Sequence, residues 1–223
     1  MSTAPFTPAG TTPPPDLDNY FARALIKLQK EYVQNETQPT ARAAATMAVL
    51  RKADPGKVDT SPSTWSVLYS AFPEDFFGNR DEITARERAA HAALVLYAVH
   101  QTSQPKPLHQ SGIRLGQALR RLSVSQDEKN PVPPRLTSLI AASTFDATMY
   151  HLRGLMSLLR REGIPLDHIS LYRDLVRLQN PRNASRVRRQ WGRDYFASPA
   201  QETDNSSIDI AATSTAITPQ THA

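Results

Sequence analysis

The stretch Thr84–Gln101, TARERAAHAALVLYAVHQ, decides the fold class. Thr84 followed three residues later by Glu87 reads as a capping box, the pair that satisfies orphan N–H groups at a helix start. A long helix then runs through Leu94, Tyr97 and His100. Its apolar run, Ala92–Val99, is the longest uninterrupted one in the chain. That is far short of the ~20 residues a membrane-spanning helix needs, so the run belongs to a protein core.

Working outward, the same period recurs. Leu17, Tyr20, Phe21, Ala24, Leu25, Leu28 and Tyr32 form one face of a first helix with Asp16 as its N-cap. Thr40 caps a second helix that runs to about Ala53 and stops at Asp54-Pro55-Gly56. Ser61-Pro62 starts a third, with Trp65, Leu68, Tyr69 and Phe72 on one face, a spacing that favours core packing over base stacking. After a proline break at Ser103–Ser111 come a short helix at Ile113–Leu122 and a second break ending in Pro131-Val132-Pro133-Pro134. Helices resume at Arg135–Ala142, Thr144–Glu162 with Gly163 just beyond, Asp167–Leu178 and Asn183–Phe196. Strand alternation and Asn-Gly or Asp-Gly hairpin turns are missing, so the expectation is an all-α bundle of about eight to nine helices. The two breaks allow an N-terminal and a C-terminal helical half, and no repeat of constant period is present.

Both ends read as disordered tails around a helical domain at 16–196. Residues 1–15 hold five prolines and four threonines, and 197–223 is polar with no aromatic residue. Neither can bury enough apolar surface to offset the entropy of ordering. The N-terminus has neither a basic start nor an apolar run, so the expected setting is cytoplasmic, away from any membrane. The chain has 223 residues and no cysteine, which removes disulfides and thiol chemistry.

Chemistry is sparse. The eight glycines are dispersed, leaving no phosphate-cradling loop, and no serine sits at a nucleophile elbow. His91 and His100 are nine residues apart, not the i, i+4 of a helical metal pair. His91 reads as a surface or packing residue and His100 as a hydrogen-bonded core histidine. Glu74-Asp75 and Asp81-Glu82 read as loop and first-turn acids. No catalytic residue, metal site or cofactor is expected.

Charge is the positive signal. Lys and Arg number 26 and Asp and Glu 21, a net of +5. The tails carry only Glu202, Asp204 and Asp209, so the body holds 26 bases against 18 acids, a net of +8. Between Arg173 and Phe196 seven arginines face two acids. On the last helix Arg186, Arg189 and Arg193 form a basic stripe beside an apolar stripe of Val187, Trp191 and Tyr195. Arg173/Arg177, Arg153/Arg160 and Arg114/Gln117/Arg121 make three further stripes. Arginine's planar fork suits phosphate, and contacts to a nucleic-acid backbone position a protein without reading bases.

The order of local patterns goes further. Ala89–Gln101 ends in a His-Gln pair, followed by SGIRLGQALRRL (111–122), RLTSLI (135–140), HLRGLMSLLR (151–160), GIPLDHISLYRDL (163–175) and QWGRDYF (190–196). In this order and spacing they resemble the small subunit of type I-E CRISPR surveillance complexes (Cascade), the CasB family, over roughly residues 40–196. LGxAL and the closing W-G-R-D-Y are the most specific parts.

The resemblance implies a nine-helix protein without enzymatic activity. It would sit as two copies against the backbone and large subunits, touching the guide RNA–target DNA heteroduplex and the displaced strand. Carried over by position, Arg51, Lys52, Arg135, Arg153, Arg182, Arg186 and Arg189 would bind nucleic acid, joined by Arg114 and Arg193 from the stripes. The tails depart from the family pattern. Two other readings of the same residues stay open: a dimeric helix-turn-helix regulator that places Arg182–Tyr195 in a major groove, and a helical adaptor whose arginines are merely solvated.

Overall fold

A computed structural model of the chain describes residues 17–33, 38–77, 82–125 and 130–197. Asp16, Asp81 and both tails lie outside them. The described residues form nine α-helices and no strand: α1 Leu17–Tyr32, α2 Ala41–Lys52, α3 Pro62–Ala71, α4 Ala85–Gln101, α5 Leu115–Val124, α6 Val132–Ala141, α7 Phe145–Arg161, α8 His168–Leu178 and α9 Pro181–Phe196. A single 3₁₀ turn, Glu74–Phe76, lies between α3 and α4.

α4 is the hub. Every residue from Ala89 to Gln101 is buried, because α2, α3, α7 and α8 all pack around it. Its alanines at 89, 90, 92, 93 and 98 let those neighbours approach from all sides, and a helix apolar all round belongs inside a fold. One contiguous core joins Phe21 and Leu25 of α1 to Trp191 of α9.

Helix starts follow side-chain chemistry. Thr40, Thr84, Thr144 and Asp167 accept the backbone N–H three residues on, at 3.1, 3.0, 3.1 and 2.9 Å. Gly163 sits at φ +63°, the left-handed position that closes α7.

Several boundaries differ from the sequence expectation. α6 starts at Val132 and α9 at Pro181, three and two residues early, because proline in a first turn lacks only an N–H that the helix does not need. α5 starts at Leu115; Ile113 stays outside, its carbonyl accepting Asp167 N–H at 2.7 Å. The Thr84/Glu87 box is half formed. Glu87 is buried and its carboxylate accepts the Tyr69 hydroxyl at 3.1 Å, tying α3 to α4 instead of returning to the cap.

The His-Gln pair closing α4 organises the first proline break. Gln101 Nε2 donates to the Gln104 and Lys106 carbonyls, at 3.2 and 2.9 Å, while its Oε1 accepts Leu108 N–H at 2.8 Å. Leu166 N–H donates to the Leu108 carbonyl at 2.9 Å, so the loop is stitched to the α7–α8 connection.

Candidate nucleic-acid interface

α9 separates two kinds of residue. Asn180 caps it, and Ala184, Val187, Trp191 and Tyr195 turn into the core. That burial fixes the rotation of the helix, which leaves Arg182, Arg186, Arg189 and Arg193 exposed. Among the described residues, none of these four side chains has a hydrogen-bond or ion-pair partner. Their neighbour Arg188 is half-buried and donates to the Ala142 carbonyl at 2.7 Å, closing the end of α6.

A second group gathers where α2, α6 and α7 meet. Arg153 reaches from α7 to the end of α2, its Nη1 2.8 Å from the Ala53 carbonyl and its Nη2 2.6 Å from the Arg51 carbonyl. Those carbonyls are the negative end of the helix and welcome a guanidinium. The link brings exposed Arg51 and Lys52 beside α7, about a hundred residues away in sequence. Exposed Arg135, on α6, lies over Gly154, where an added Cβ would meet its Nη1 at 3.4 Å. Arg135, Tyr150, His151, Arg153, Gly154 and Ser157 line a cleft of about 320 Å³.

Other arginines of the expected stripes face carboxylates. Arg114 pairs with Asp194 at 3.4 Å, Arg173 with Asp18 at 3.4 Å and Arg177 with Asp174 at 3.8 Å. Gln117 accepts the Arg114 backbone N–H at 2.9 Å, so the expected stripe Arg114/Gln117/Arg121 is partly a helix cap. The aromatic face of α3 splits. Phe72 and Leu68 are buried, but Trp65 and Tyr69 are exposed, which corrects the expectation that all pack in the core. Each keeps a polar tether, Trp65 Nε1 to the Val58 carbonyl at 2.8 Å and Tyr69 to Glu87. Sequence reasoning missed Tyr150. Its signal was a large aromatic placed i, i+3, i+4 from Arg153 and Gly154, off the apolar period of α7.

The two most specific sequence elements turn out to be one interface. In LGxAL, Leu115, Ala118 and Leu119 are buried, and a Cβ at Gly116 would fall 2.6 Å from Asp194 Cβ and 2.8 Å from Tyr195 N. In W-G-R-D-Y, Trp191 Nε1 donates to buried Asp174 at 2.8 Å, and Asp194 accepts Gln190 Nε2 at 2.6 Å. Tyr195 shares a 2.7 Å hydrogen bond with Ser123. Only Arg193 of the five faces outward. Burial raises the Asp174 carboxyl above its usual range, opposed by the Trp191 hydrogen bond and by Arg114 and Arg177.

The buried histidines form a connected chain. His100 Nε2 must donate to the Ile164 carbonyl at 3.0 Å, so its Nδ1 accepts from His168 Nε2 at 2.9 Å. The His168 backbone N–H in turn donates to His109 Nδ1 at 3.2 Å. Burial lowers His100 to about 4 and depresses His109 and His168 as well. His91 is also lowered to about 4 by burial and packs in the core, as expected of a packing residue. Among the described residues no group of three His, Asp or Glu side chains is placed to hold a metal. No helix there is long and apolar enough to cross a membrane.

Comparison with known proteins accords with this architecture. Residues 46–196 match the family model of CRISPR-associated protein Cse2. The crystal structure of CasB from Thermobifida fusca is 32% identical and superposes with a TM-score of 0.66, covering 81% of this chain and 98% of that one. A chain of a CRISPR RNA-guided surveillance complex, 22% identical, shares the fold with a TM-score of 0.56 over 80% of this chain and 92% of that one. Among curated proteins, no sequence matches. With two thirds of its length inside the family model and a CasB structure matching over 81% of the chain, the chain belongs to the Cse2 (CasB) family, the small subunits of type I-E Cascade.

Proposed function

We propose that this subunit is non-catalytic and stabilises the R-loop of a cytoplasmic guide-RNA complex by holding the phosphates of opened DNA strands on basic helix faces. It does so in contact with the backbone and large subunits and a second copy of itself. The observation that carries the reading is the α9 stripe: Arg182, Arg186, Arg189 and Arg193 exposed, with no partner among the described residues. Arg51, Lys52, Arg135 and Arg153 supply a second face on neighbouring elements, since α6 packs against both α7 and α9.

Physics favours such a role. Replacing a DNA duplex with an RNA–DNA heteroduplex is nearly balanced, so modest contacts to backbone can tip it. A displaced strand offers phosphates without fixed base identity, and a sequence-tolerant charged face suits it. Base reading is left to the guide.

The test is R-loop formation by complexes carrying Arg186→Ala or Arg189→Ala, measured on several unrelated targets across a salt series. Each substitution should weaken binding by the same factor on every target and lower the slope of log affinity against log salt by up to about one. Loss confined to particular sequences would overturn the reading. Tight, sequence-preferring binding of free duplex by the chain alone would support the helix-turn-helix regulator instead.

A further inference from the structure

Tyr150 is 77% exposed, although the apolar side of its helix is complete without it: Met149, Leu152, Leu155, Met156 and Leu159 are all buried. It stands at the head of a different row on α7, Tyr150, Arg153, Gly154 and Ser157, at i, i+3, i+4 and i+7. Isolated exposed aromatics are ordinary, but the surroundings of this one are not. Its ring meets His151 edge to face, with centroids 5.4 Å apart. The cleft beside it is floored by a residue with no side chain, Gly154, and walled by Arg135 and Arg153. No acid lines it. Arg153 is pinned by its two hydrogen bonds to the end of α2, so that wall is held before any ligand arrives.

We propose that this cleft is a subsite for one unpaired nucleotide, with the base stacked on Tyr150 and the flanking phosphates held by Arg135 and, one step along the strand, by Arg51 or Lys52. The assignment deepens the R-loop reading and rests on it for the strand's presence, but it adds a selectivity that charge alone lacks. A volume of about 320 Å³ is at the small end of the ~300–1,000 Å³ typical of ligand sites, room for a single nucleotide. A base inside a duplex has both faces covered by its stacked neighbours, so only a splayed base can use an aromatic platform. Arginines would bind single and double strands alike. The tyrosine would not.

The experiment uses the full chain and fluorescence anisotropy at one low salt concentration, with oligothymidylate, oligouridylate and a mixed-sequence duplex as probes. Tyr150→Ala should weaken single-strand binding about tenfold, within the range measured for base–aromatic stacking, and leave duplex binding unchanged. Tyr150→Phe should retain single-strand binding. A 2-aminopurine in the strand should be quenched by the wild type and Tyr150→Phe, but not by Tyr150→Ala. Because the side chain lies outside the core, the urea midpoint of all three should coincide.

Equal losses on duplex and single strand, no loss on either, or no measurable single-strand binding by the wild type would overturn the subsite. The two readings fail separately. If Arg186→Ala and Arg189→Ala leave R-loop formation intact while Tyr150→Ala still abolishes quenching, the stripe is wrong and the subsite stands. The reverse pattern removes the subsite alone.

Discussion

Gly116→Ala places two opposing effects on one methyl group. Alanine is favoured over glycine by ~1 kcal/mol in a helix interior and by less at the second residue of a helix, so in open space the change would slightly stabilise α5. Here the new Cβ would lie 2.6 Å from Asp194 Cβ and 2.8 Å from Tyr195 N, and closer still to the Trp191 carbonyl oxygen. Ordinary contact is ~3.5 Å or more, so α5 and α9 must separate by close to an ångström. Two of the three obstructing atoms are backbone, so no rotamer change relieves them. A gap of that size forfeits ~a quarter to a half of each van der Waals contact along the seam. It also stretches the Ser123–Tyr195 hydrogen bond and the Arg114–Asp194 ion pair. Overpacking costs ~1–3 kcal/mol, and a backbone clash belongs at or above the top of that range, so the net loss is about 2 kcal/mol. With a urea m-value of ~2 kcal/mol/M, the midpoint followed by far-UV circular dichroism should fall by ~1 M. Gly192→Ala is the matched control on the facing helix. Its Cβ would meet only Ile140 Cδ1, at an ordinary 3.8 Å, and the midpoint should rise slightly. A Gly116→Ala midpoint at or above wild type, or both variants shifting together, would refute the close-approach argument.

Acid should unfold the protein early. His91 and His100, held at about 4 by burial, stay neutral in the fold while the unfolded chain takes up protons from pH ~6.5 downward, which costs ~1.4 kcal/mol per pH unit for each. Stability by urea melts should therefore be flat above pH ~6.5, fall steeply toward pH ~4 and level off below it; a flat profile down to pH 5 would contradict the buried neutral state. Arg153→Met should lower stability by ~1–2 kcal/mol through the lost bonds to the Ala53 and Arg51 carbonyls. Arg186→Met, exposed and unpartnered among the described residues, should leave the midpoint of a thermal melt followed by circular dichroism within ~1 °C of wild type.

Much of the fold was legible because local chemistry and global packing agree. Thr40, Thr84, Thr144 and Asp167 are strong caps in any context, and each starts a helix. Two helices start earlier than their apolar period indicates, at Val132 and Pro181, because proline is harmless in a first turn. The site was less legible because a stripe on one helix says nothing about what lies opposite. Arg114 and Arg177 have the same spacing logic as Arg186, yet each faces a carboxylate. Arg173 meets an acid on α1, more than 150 residues away in sequence. Tyr150 is a related case: Gly154 is its neighbour on α7, but Arg135 joins them only through the α6–α7 packing.

The most recognisable parts of this sequence are therefore not the parts that touch a ligand under the proposed function. LGxAL and W-G-R-D-Y are distinctive because a glycine with no room for a methyl, a tryptophan bonded to a buried carboxylate and a tyrosine bonded across the seam admit few substitutes. A face that binds phosphate has looser requirements: charge in roughly the right place, on a helix whose rotation is fixed. The seam supplies that rotation. With Trp191 and Tyr195 locked against α8 and α5, Arg186, Arg189 and Arg193 have only one direction left to point. It follows that a seam variant which still folds, such as Gly116→Ala, should blunt the salt dependence of R-loop formation with every arginine in place. Under the proposed function, motif and function are coupled through helix rotation, not through shared contact with the nucleic acid.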